Sequence, residues 1–200
     1  MFSLSKVSPS ITNQIRFDHS HVLVTFHQYT TSTRNTAKQA LAGAICDALE
    51  IHATLEEEIL YPVLHRLHPA NPLVLKIEPE TEQILLRIAR LRAMPVDDAR
   101  HDVMVYELMR DVMHHVADEE TQLLPEVDRL LGKKHLKQLG AAMVKRRLEL
   151  LKPKAGKIAT ETMVGFSGST TAIAATVAGA VIAAGLLAKR SPDARAAPLT

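Results

Sequence analysis

The chain of 200 residues has no tryptophan, one cysteine and only 4% aromatic residues. The lone thiol, Cys46, cannot close an intramolecular disulfide, and without a CxxC pair a zinc ribbon or thioredoxin-like site is excluded. A reducing, cytoplasmic compartment is the expectation. HExxH, a Gly-rich phosphate loop, GxSxG and the ferritin-type Glu-x-x-His spacing are also missing, which removes the commonest hydrolase, nucleotide-binding and ferritin-like readings. Met1 to Phe17 is broken by Lys6, Ser8-Pro9 and Arg16 and lacks the continuous apolar core of a secretory signal.

What is present is a globular composition, 46% hydrophobic, with a net charge of +2 that hides an uneven distribution. Of the 22 acidic residues only Glu149, Glu161 and Asp193 follow Asp128, whereas nine Lys/Arg crowd Lys133 to Lys157. From Thr162 to Ala188 there is no charge at all.

Sparse glycine before residue 132 and helical apolar periods make the first two thirds all-α. Ser10 is placed to cap a first helix whose stripe is Ile11, Ile15, Val22, Phe26 and Tyr29, with His19 filling its gap. A second helix, roughly Thr36 to Leu67, carries Leu41, Ala44, Ile45, Ala48, Ile59 and Val63, and His52 and Glu56 continue that face. Pro69 and Pro72 end it, Pro79 is expected in the first turn of a third helix striped by Ile84, Ile88 and Leu91, and Pro95 stops that one. A fourth, from about Val96 to Leu131, aligns Val105, Leu108, Val112 and Leu123 with His115 and Glu119. Short connections predict an up-and-down four-helix bundle. It is followed by a fifth, basic amphipathic helix from Lys133 to Leu151, ended by Pro153, and a C-terminal apolar helix. The expected units are the bundle over 1–132, the basic helix and a linker over 133–161, the apolar helix over 162–190 and a disordered tail over 191–200.

The sharpest feature is an internal repeat. His52-x3-Glu56-Glu57 has Pro62 ten residues after its histidine, and His115-x3-Glu119-Glu120 has Pro125 at the same offset. Residues i and i+4 share a helix face, so each copy aims one imidazole and one carboxylate at the bundle core. Two ionised carboxylates among Leu and Ile would each cost several kcal/mol and repel each other. A cation between them removes both penalties. The pattern predicts a dinuclear metal site bridged by Glu56 and Glu119 with terminal imidazoles, in which mixed N/O ligation favours iron, or next manganese, over zinc.

With Asp18-His19, His52-x3-Glu56-Glu57 before Leu60-Tyr61-Pro62, and His115-x3-Glu119-Glu120 before Leu124-Pro125, the chain resembles the hemerythrin-like, HHE cation-binding family over about Ile11 to Leu131. The resemblance implies a non-haem di-iron centre that binds oxygen or handles related small oxidants such as peroxide or nitric oxide. It makes His19, His52 and His115 terminal ligands and Glu56 and Glu119 bridges. One position departs: where the family places a histidine on the third helix, this chain has Thr81, so that either Glu82 or Glu78 reaches in, a water takes the place or the metal is held weakly, and of these Glu82 is the substitute ligand we expect. Such a change opens a coordination position, favouring reactivity or loss of one metal over reversible oxygen storage. The competing readings are a structural, membrane-associated bundle with a degenerate site, and an iron or oxygen sensor.

The uncharged run would span roughly 40 Å as a helix, enough to cross a hydrocarbon core. Its 172–188 core, AIAATVAGAVIAAGLLA, is rich in alanine and only marginally hydrophobic, and Ala175, Gly179 and Ala183 would let two copies pack closely. The preceding block Lys145, Arg146, Arg147, Lys152, Lys154 and Lys157 suits a segment lying against anionic lipid. The expected partners are thus a small diatomic or peroxide ligand and a membrane at the inner face of the cell, with homo-oligomer contacts through the apolar helix. Nucleic acid is not expected, because the basic stretch has no interleaved aromatics.

Overall fold

The computed structural model describes residues 8–165, all helix and connection without a strand among them. Helix α1 (Ile11–Gln28) starts where Ser10 accepts a hydrogen bond from the Asn13 amide at 3.2 Å. Helix α2 (Asn35–Leu55) passes through a π-helical turn (Glu56–Leu60) into α3 (Tyr61–Leu67). After α4 (Pro72–Arg92), helix α5 (His101–Asp118) does the same through Glu119–Leu123 into α6 (Leu124–Leu130). These four rods form the bundle, α1 against α2 and α4 against α5.

Two boundaries differ from the sequence expectation. The third rod begins at Pro72, not near Pro79, because Asn71 caps it by accepting from the Leu73 amide at 2.9 Å. Pro79 sits inside the helix on its exposed face, as does Leu75, whose carbonyl loses its helical donor to the proline. The fourth rod begins at His101 instead of about Val96, because Asp98 accepts from the Arg100 amide at 2.8 Å and its own carbonyl accepts from His101, winding a turn first.

The core is divided. One apolar cluster contains Ile11, Ile15, Leu55, Leu60, Leu64, Ile77, Leu123 and Val127. The other contains Val22, Phe26, Leu41, Ile45, Ile84, Ile88, Leu108 and Val112. On every rod the residues between the two clusters are polar: His19, His52 with Glu56, Thr81, and His115 with Glu119, all buried. The bundle is two apolar plugs with a polar layer between them.

Helix α7 (Lys133–Leu151) lies across α1 and α2, and Gln14 donates to the Gly140 carbonyl at 2.7 Å. The linker expected after Leu151 is helical instead. A 3-10 turn (Lys152–Lys154) tolerates Pro153 and leads into α8 (Ala155–Gly165), which packs along α2. Asp47 of α2, itself buried, holds this strap: it accepts from Lys154 at 2.8 Å, from Lys157, and from Arg92 of α4 at 2.8 Å. Four of the six cations expected to face lipid are therefore engaged internally, since Arg146 pairs with Glu58 and Arg147 with Asp18. No helix among the described residues is long and apolar enough to cross a membrane. Beyond Gly165 the apolar run, its 172–188 core and the tail lie outside the described residues.

Candidate metal centre

His52 and His115 occupy the last turns of α2 and α5, and Glu56 and Glu119 open the π-helical turns that follow. In each turn a hydrogen bond reaches back five residues, from the Tyr61 amide to the Glu56 carbonyl and from Leu124 to Glu119. Pro62 and Pro125 come immediately after. A proline has no amide proton and its ring pushes away the carbonyl four residues back, which the wider turn accommodates.

The four side chains of the repeat offer ligand atoms that all lie within 4.8 Å of one another. His52 Nε2 is 3.4 Å from Glu56 Oε2, and His115 Nε2 is 3.5 Å from Glu119 Oε1. His19 joins from α1, its Nε2 3.0 Å from Glu119 Oε2. Both carboxylates are 0% exposed. Yet His19 Nε2, His52 Nε2, Glu56 Oε1 and both oxygens of Glu119 make no hydrogen bond. Buried polar atoms are rarely left this way, and here the orphans converge from three helices.

The electrostatics follow. Burial, and then the facing charge of Glu119, push Glu56 well above the usual carboxylate range, and burial raises Glu119 too. Burial, followed by the charges of His52 and His19, pushes His115 down to about 3. Burial also disfavours a charged His52, but Glu56 and Asp18 outweigh it and its pKa rises. A divalent or trivalent cation would reverse the carboxylate shifts by supplying the missing countercharge.

A surrounding set of polar contacts orients these groups. His19 Nδ1 meets Glu120 at 2.9 Å, and His52 Nδ1 meets Asp18 at 3.4 Å. The Tyr61 hydroxyl donates to Glu56 Oε2 at 3.3 Å and lies 3.3 Å from the Thr81 hydroxyl, which donates to the Ile77 carbonyl. Glu82, expected to replace the missing histidine, is exposed on the outer side of α4, a helical step away from inward-facing Thr81. The α4 carboxylate nearest the cluster is Glu80, 3.9 Å from His115 Nδ1. Sequence reasoning missed Glu80, Tyr61 and the role of Asp18. The Tyr61-Pro62 pair was visible, but only the tertiary fold brings its hydroxyl to Glu56. A small cavity beside the cluster, lined by His19, Val22, His52, Thr81, Val112 and His115, has about 20 Å³ for the centre of a water-sized molecule. That is room for about one water-sized molecule.

Imidazoles and carboxylates gathered between two apolar plugs make a candidate cation site in a four-helix bundle. The family model of the hemerythrin HHE cation binding domain matches residues 10–127, and the chain belongs to that family. It is similar in structure to a hemerythrin HHE cation binding domain-containing protein from Mycobacterium kansasii, with a TM-score of 0.64 and 16% identity, covering 84% of this chain and 99% of that one. In sequence it is 26% identical over 133 residues to a protein described as a DNA nickase from Nostoc sp.. That match covers 66% of this chain and 38% of the relative's length.

Proposed function

We propose that the chain holds a non-haem di-iron centre on His19, His52, Glu56, His115 and Glu119 and that the centre binds or reduces a small oxidant: oxygen, peroxide or nitric oxide. The observation that carries this reading is the set of buried, hydrogen-bond-free nitrogen and oxygen atoms converging at one level of the bundle. Mixed imidazole and carboxylate donors suit iron, which supplies the electrons for oxidant chemistry when bound. The protein contributes orientation and exclusion. Asp18 and Glu120 hold two imidazoles by their far nitrogens, Tyr61 holds Glu56, and the two plugs keep bulk water from the cluster. The cavity limits the ligand to a few heavy atoms. DNA chemistry is not part of this reading, because much of the basic block is neutralised within the fold.

The test is anaerobic loading of the full chain with ferrous iron, desalting, metal analysis and an optical spectrum after oxidation. The reading requires about two irons per chain and a near-ultraviolet charge-transfer band. A protein that retains no iron, or a Glu119→Gln variant that loads like the parent, overturns it.

A further inference from the structure

His52 is tied to the surface by a chain of contacts that leaves the family domain. Its Nδ1 lies 3.4 Å from Asp18 Oδ2. Arg147 of α7 closes on the same carboxylate with both terminal nitrogens, Nη1 to Oδ1 at 2.8 Å and Nη2 to Oδ2 at 2.6 Å. The bidentate fork fixes both oxygens of Asp18 and so fixes the direction in which the carboxylate meets the imidazole. Asp18 is 8% exposed, too buried to be held by water if the guanidinium were gone. Residue 147 lies beyond the matched span of 10–127, so the clamp comes from an appended helix.

We infer that Arg147 is a positioning residue for the metal centre, setting the orientation of the His52 ligand through Asp18. Its neighbour Arg146 provides the control. Arg146 also makes a bidentate ion pair from α7 to the bundle, Nε to Glu58 Oε2 at 2.6 Å and Nη2 to Glu58 Oε1 at 2.8 Å. That carboxylate is on the outside and touches no candidate ligand. The two pairs differ in burial, the side chain of Asp18 being 11% exposed and that of Glu58 42%, so Arg146 controls for the loss of a bidentate fastening, while the double variant and the ring readout below test the route through Asp18 to His52.

This inference rests on the di-iron reading, and the experiment keeps the two apart. The full-length parent, Arg147→Met, Arg147→Lys, Arg146→Met, Asp18→Asn and the double variant Arg147→Met/Asp18→Asn are loaded with iron. Release to a ferrous chelator is then followed optically. Loss of an outer contact to a metal ligand changes affinity by about 10- to 100-fold. We expect Arg147→Met to release iron at least about 10-fold faster, Arg146→Met to match the parent, and Arg147→Lys to recover part of the difference. The double variant should release no faster than Asp18→Asn alone, because both changes cut the same chain.

Equal rates for the two methionine variants, slower release from Arg147→Met, or additive effects in the double variant would overturn the inference. Iron retention by the parent judges the function reading separately. Nitrogen NMR of the His52 ring in metal-free protein gives an independent readout: Arg147→Met and Arg147→Lys must alter its nitrogen shifts, and Arg146→Met must not. An unchanged ring signature in both Arg147 variants refutes the inference even where iron data are lacking.

Discussion

Glu119 has no exposed surface, and neither of its carboxylate oxygens makes a hydrogen bond. In the metal-free protein it is therefore a cost to the fold. Replacing it by glutamine removes a buried charge while keeping the shape. Metal-free Glu119→Gln should resist urea better than the parent by about 1 to 3 kcal/mol at pH 8 while failing to retain iron. The pH dependence has a definite sign. Burial raises the folded pKa of Glu119 above its ordinary 4.5, so the folded state holds the proton more tightly and the penalty grows as pH rises from about 4.5. The stability gap between variant and parent should accordingly shrink as urea titrations are moved from pH 8 to pH 5. A gap independent of pH would mean that the carboxylate is not the source.

Among the elements, the rods were legible because a helix writes its buried face into the sequence every three or four residues. Ile11, Ile15, Val22 and Phe26 are buried as the stripe of α1 requires, and Val105, Leu108 and Val112 likewise on α5. The repeat was legible for the same reason, since a polar residue on an apolar stripe is conspicuous. The π-helical turns were not, because one extra residue in a turn leaves the apolar pattern nearly unchanged and only Pro62 and Pro125 betray it. Nor could any local pattern pair Arg147 with Asp18, which are 129 residues apart and meet because α7 folds back on α1. The docking of that helix depends on one small residue. A Cβ at Gly140 would strike the Pro9 carbonyl and the Gln14 amide, and the backbone oxygen cannot move aside as a side chain could. Gly140→Ala is expected to lose about 1 to 3 kcal/mol in urea unfolding despite its better helix propensity. An unchanged or higher midpoint would show that α7 sits more loosely.

At the scale of the whole molecule, the lopsided charge of the sequence becomes an internal clasp. Cations late in the chain return to acidic groups early in it, and Asp47 gathers two of them, Lys154 and Lys157, together with Arg92 of α4. Burial opposes the Asp47 charge, but hydrogen bonds from Lys154 and Lys157 overcome it and lower its pKa below 3.8. Its contribution is therefore complete above pH 3.8 and is lost as pH falls through the lower folded value. Asp47→Asn should cost about 1 to 3 kcal/mol at pH 7, since the stranded cations keep contact with water. Parent and variant should converge in circular-dichroism melts near pH 2.

The sealing of the polar layer has a kinetic consequence. With both carboxylates fully enclosed and the cavity little larger than a water molecule, a hydrated ion has no ready-made route to its ligands. The ion must shed its water, or the helices must part, for it to pass in either direction. The residence time of a metal is then governed by how often the bundle breathes as well as by how tightly the ligands grip.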